Sequence, residues 1–124
     1  MDRKLIEKII GKKSYVDLND EIYNLREVTS KMREKIVFKE NFSEDFLNSI
    51  YLKVLSAKKI IDNIIEGLEN DKFQVGYTNS KAYLLKYLKD YQYNLNGILE
   101  NTNTLNYDEL IIYTNTLIDL ILLF

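Results

Sequence analysis

Apolar residues recur along most of this chain at alternating steps of three and four, the repeat that lines one stripe of an α-helix. Tyr15, Leu18, Ile22, Leu25, Thr29, Met32 and Ile36 form a first seam, and Leu47, Ile50, Val54, Ala57, Ile61, Ile64 and Leu68 a second. A third runs through Leu84, Leu88, Tyr91, Leu95 and Ile98, and a fourth through Leu110, Thr114, Leu117, Ile121 and Phe124. Ahead of them, Leu5, Ile6, Ile9 and Ile10 give two turns of apolar face ending at Gly11. The pattern predicts four main helices, over about 14–40, 43–69, 79–100 and 106–123, with a short N-terminal helix over about 2–11.

Local signals place the ends. Ser14, with Asp17 three residues on, is the expected N-cap of the first long helix. Ser43 caps the second, followed by Glu44 and Asp45, which favour the positive end of the helix dipole. Phe42 and Leu47 stand at the two positions of a hydrophobic staple, and Asn106 with Glu109 has the spacing of a capping box. Residues 69–79 read as a loop, within which Phe73, Val75 and Tyr77 alternate as a few extended residues would. Asn96-Gly97 is a hairpin-turn dipeptide, but no second alternating run follows and the seam continues past it, so the helix is expected to run through. Asn101 to Asn106 reads as a polar connector. Phe46, Ile60 and Ile65 widen the second seam, which suits a bundle of three or more helices better than a two-stranded coil. The fold class expected is all-α, an up-and-down bundle forming a single domain over 1–124.

Composition narrows the chemistry. The 124 residues include no His, Cys, Pro or Trp. Disulfide scaffolds, thiolate or imidazole zinc sites, thiol catalysis and histidine proton relays are thereby excluded. Carboxylate pairs at helical spacing exist at Asp17 with Asp20 and Glu21, at Glu66 with Glu69, and at Asp108 with Glu109. They lie on polar faces near helix ends, where capping and solubility account for them. The four glycines, at positions 11, 67, 76 and 97, are isolated, so no phosphate-cradling loop is present. No cofactor, metal or enzymatic activity is expected. Lys, Asn, Ile and Tyr together supply 52 residues, the bias of an AT-rich source such as a low-GC bacterium or a mobile element, which alone could account for the ten tyrosines. The first ten residues are charged throughout, unlike a signal peptide, and Leu110–Phe124 is shorter than a membrane span of about 20 residues. A cytoplasmic location is the expectation.

Charge and exposed aromatics supply the candidate surfaces. The net charge is −2, yet the last basic residue is Lys89, and residues beyond it carry only the acids Asp90, Glu100, Asp108, Glu109 and Asp119. Lys31, Lys35 and Lys39 fall one turn apart with Arg33 nearby, a basic stripe able to follow a phosphate backbone or to stand as a solvated face beside Glu27 and Glu34. Tyr83, Tyr87 and the nearby Tyr93 form a candidate partner-binding patch, since tyrosine joins a large apolar area to a polar handle. Ile111, Ile112, Ile118, Leu120 and Leu122 make the last helix apolar around most of its circumference, so it is either central or a surface for self-association. In general build the chain is similar to small helical inhibitors and immunity proteins carried by phages and plasmids, a likeness that no motif carries. The expected function is a non-enzymatic protein-binding module that occludes a partner protein with a helical face. The alternative is a nucleic-acid-associated or structural oligomeric subunit using the basic stripe.

Overall fold

A computed structural model describes residues 2–70, 72–73, 78–104 and 106–124. Five helices follow in order: α1 (Arg3–Ile10), α2 (Lys12–Val37), α3 (Glu44–Glu69), α4 (Thr78–Thr104) and α5 (Tyr107–Leu123). Contacts join α2 to α3, α3 to α4, α4 to α5 and α5 back to α2, so the four long helices stand in a ring with their seams inward. The third and fourth seams are buried at every position, and the first two at all but Tyr15, Ile36 and Leu47, which are half-buried near helix ends. Each buried Leu or Ile contributes roughly 1.5–3 kcal/mol over its exposed state, which gives the bundle its stability. Alternating direction shows where ends meet: Tyr15 stacks on Phe124, and Phe42 packs on Tyr107. α1 packs on α2 and buries Ile6, Ile9 and Ile10, while the Arg3 guanidinium stacks on the Phe124 ring and donates to its carbonyl.

Several element ends differ from the expected ones, each for a local reason. α2 begins at Lys12, not at Ser14. Gly11 takes φ 86°, closing α1 through its N–H to Glu7 and opening α2 by accepting from Tyr15, so Ser14 lies inside the first turn and caps nothing. The same helix stops at Val37, short of residue 40. Lys39 adopts φ 54°, and the bonds from Lys39 N–H to the Ile36 carbonyl and from Glu40 N–H to the Lys35 carbonyl complete a Schellman closure. α4 runs on to Thr104, through most of the expected connector. Asn101 and Thr102 turn their side chains back onto the carbonyls of Gly97 and Ile98, so they do not compete with the helix for its backbone. Ser43 and Asn106 cap α3 and α5 as expected, accepting from the N–H groups of Phe46 and Glu109. The expected extended run at Phe73, Val75 and Tyr77 lies, apart from Phe73, outside the described residues.

α5 does not occupy the centre. It holds a place in the ring between α2 and α4, which leaves Ile112, Leu122 and Leu123 exposed. Four long helices of similar width close around their own side chains, and no position remains inside for a fifth. No described helix is long and apolar enough to cross a membrane.

Candidate functional site

The tyrosines separate into two roles. Tyr83 is 60% exposed and Tyr93 67%, whereas Tyr87 is only 5% exposed. Tyr87 is a correction to the expected patch: its hydroxyl donates to the Leu120 carbonyl on α5 and accepts from Tyr91, whose ring meets it edge-on at 4.9 Å. One turn from Tyr87 in each direction lie Tyr83 and Tyr91, and because four residues advance about 40° round a helix, the row turns progressively onto the buried seam, which covers Tyr87 and Tyr91 and leaves Tyr83 outside. Burial pushes the Tyr87 phenol up to about 12 and raises Tyr91 further. These two phenols tie α4 to α5.

Tyr83 stands between two depressions. On one side a pocket of about 310 Å³ separates α1 from α4, lined by Leu5, Ile6, Ile9 and Leu84. On the other a groove between α4 and α5 is lined by Lys86, Asp90, Leu120 and Leu123. Further along the same helix pair, Tyr93 meets Tyr113 at 5.9 Å between ring centroids, and Tyr113 in turn lies over Gly97. The hydrogen bond with Tyr93 raises the Tyr113 phenol. Asp2, the carboxylate at the α1 pocket, accepts from the N–H groups of Lys4 and Leu5 as the α1 cap. This face thus joins exposed aromatic rings and apolar linings to the charged side chains of Asp2, Lys86 and Asp90.

The basic stripe is not continuous. Lys31 and Arg33 are exposed on α2. Lys35 pairs with Glu40 at 3.5 Å and lies 4.9 Å from the centre of the Phe46 ring. Lys39 has left the helix altogether, because α2 ends at Val37 and the chain turns at Lys39 itself in the Schellman closure. Of the acidic pairs, Glu66 meets Lys72 and Glu69 meets Lys89.

A second face lies between α2 and α5: the apolar excess of the last helix pointed to Ile111, Ile118 and Leu122, whereas the inward seam of α2 gave no reason to look for its side of the face. Arg26, Ser30 and Arg33 line a groove with Ile118 and Leu122, and Ile36 and Ile111 border the next depression along the same helix pair. Tyr23 and Val37, seven residues to either side of Ser30, extend the α2 stripe and are exposed. The signal was present as a second heptad on each helix: 23, 30 and 37 on α2, and 111, 118 and 122 on α5. No protein-family model matches the chain, and no curated protein or solved structure matches it.

Proposed function

We propose that this protein is a non-enzymatic protein-binding module whose α4–α5 face occludes a partner protein, in the manner of a small inhibitor, immunity protein or adaptor. The observation that supports the reading is Tyr83, an exposed aromatic flanked by an apolar pocket on one side and a groove on the other. Large rigid aromatics between pockets are where binding energy concentrates in protein interfaces. Tyr93, held against Tyr113, extends the same surface with a ring already fixed in place, so little side-chain freedom is lost on binding. The nucleic-acid alternative draws less support, since Lys35 is engaged by Glu40 and Lys39 is off the helix.

The test is capture from a lysate of the source organism, comparing the natural chain, the Tyr83→Ala/Tyr93→Ala variant and a Leu52→Ala control. Leu52 is exposed on α3 and serves as a distant apolar substitution. A protein retained by the natural chain and the control but lost with the tyrosine pair supports this face. A protein retained equally by all three removes it. Binding to DNA or RNA that weakens steeply with salt would instead favour the alternative.

A further inference from the structure

We infer that the α2–α5 groove receives an acidic amphipathic helix of a partner protein, its carboxylates on Arg26 and Arg33 and its apolar side chains on α5. Arg26 and Arg33 stand two turns apart, about 10 Å along α2, and both line the groove together with Ser30. Ile118 and Ile121 line it from α5, where Leu122 is the most exposed of the large hydrophobic side chains on the described surface, at 75%. No carboxylate is among the groove's lining residues, and neither arginine forms an ion pair among the described residues. The groove continues past Ile36 and Ile111 into a depression whose charged residues, Lys39, Glu40 and Asp108, are of both signs. Positive charge is therefore concentrated on the stretch between Arg26 and Arg33.

Charge and apolar lining together select the occupant. A segment that covers Ile118 and Leu122 also covers the guanidiniums beside them, and a charge taken out of water without a counter-charge strongly opposes binding. Carboxylates remove that penalty, because the planar guanidinium fork donates two parallel N–H bonds to each. A free anion would pair the arginines but leave the α5 side of the groove in water. An extended polyanion such as a nucleic-acid backbone would meet Glu27 and Glu34, which follow each arginine about 100° round α2 on its outer rim. A helix is the shape that fits, since Tyr23 and Val37 are exposed in heptad register with Ser30, beside Ile111 and Ile118 on α5. The groove lies on the α2 side of α5, whereas Tyr83 and Tyr93 belong to α4 on its other side, so the two faces are separate.

Fluorescence anisotropy with a labelled synthetic peptide decides. The probe is a helix-stabilised amphipathic peptide with leucines in heptad spacing and two glutamates seven residues apart, and its counterpart carries lysines in place of the glutamates. The natural chain is expected to bind the glutamate peptide at least tenfold more tightly than the lysine peptide. Arg26→Glu with Arg33→Glu, both at exposed positions, is expected to reverse that preference, and Leu122→Ser to weaken the glutamate peptide severalfold. Circular dichroism checks that each variant keeps its helix content. A natural chain that fails to bind the glutamate peptide at high micromolar concentration overturns the inference, as does equal binding of both peptides or a preference that survives the charge swap. Displacement of the peptide by an oligonucleotide at physiological salt also overturns it, in favour of nucleic acid. A natural chain that sediments as a dimer, dissolved by Leu122→Glu, overturns it in favour of a second copy. The Tyr83→Ala/Tyr93→Ala variant is expected to bind the glutamate peptide like the natural chain, so failure of either proposal leaves the other standing.

Discussion

Thr114 sits in the α5 seam fully buried, and its hydroxyl has no hydrogen-bond partner among the described residues. A buried hydroxyl left unpaired has lost its water without recompense, so Thr114→Val, of nearly the same shape, is expected to stabilise the fold by about 1 kcal/mol. Thermal unfolding should show a rise of about 4 °C in Tm. Tyr87 and Tyr91 illustrate the opposite arrangement, with both phenols buried and hydrogen-bonded. Their raised pKa values fix a pH dependence. Around pH 10 the unfolded chain begins to lose phenolic protons while the folded chain keeps them, so stability is complete below that pH and falls as it climbs towards 12. Urea unfolding between pH 9 and 12 should therefore show falling midpoints, with a shallower slope for Tyr87→Phe. Of these residues the sequence placed Tyr91 in a seam but gave Tyr87 to the surface. The two lie four apart on one helix, and only the position of α5 decides that both are covered.

At the scale of elements, helix ends carry the disagreements between pattern and structure. Lys39 holds a left-handed conformation for which its side chain is a hindrance, at a position where glycine is the usual residue. Lys39→Gly is expected to stabilise by about 1 kcal/mol in urea unfolding, and no change would mean that α2 ends otherwise. Gly97 poses the reverse case in mid-helix. A Cβ there would stand 2.5 Å from the Tyr113 ring. Alanine ordinarily improves a helix interior by about 1 kcal/mol, so Gly97→Ala should destabilise the natural chain yet stabilise one that already carries Tyr113→Ala. A double-mutant cycle reads that change of sign. The seams were legible because a period near 3.6 survives any loop geometry, and Ser43 and Asn106 because a capping side chain acts within four residues. Ser14 failed because Gly11 offered an earlier start, and the connector at 101–106 shrank because its polar side chains found helix carbonyls.

On the scale of the whole molecule, α1 covers one end of the ring. Ile9 is buried as completely as the mid-bundle residues, and Arg3 fastens α1 to the end of α5. Ile9→Ala is expected to cost about 3 kcal/mol, comparable to Ile61→Ala in α3, although it lies in a helix of only 8 residues. A loss below about 1 kcal/mol in equilibrium unfolding would show that α1 frays independently of the ring. Ring closure also settles the fate of α5. Its apolar excess, which the pattern left open between a central place and an outward surface, divides into a buried seam and the two flanks described above.

The order of residues by itself determined the class of fold, the number of long helices and which stripe of each one turns inward, since those follow from periodicity and from the absence of proline. It also removed histidine and cysteine chemistry outright. Tertiary structure decided which helices are neighbours, and with that which tyrosines are covered, where the basic stripe breaks and which apolar residues of α5 remain in water. Exposure is a property of two surfaces brought together, and a single helix carries no record of the one that will lie beside it.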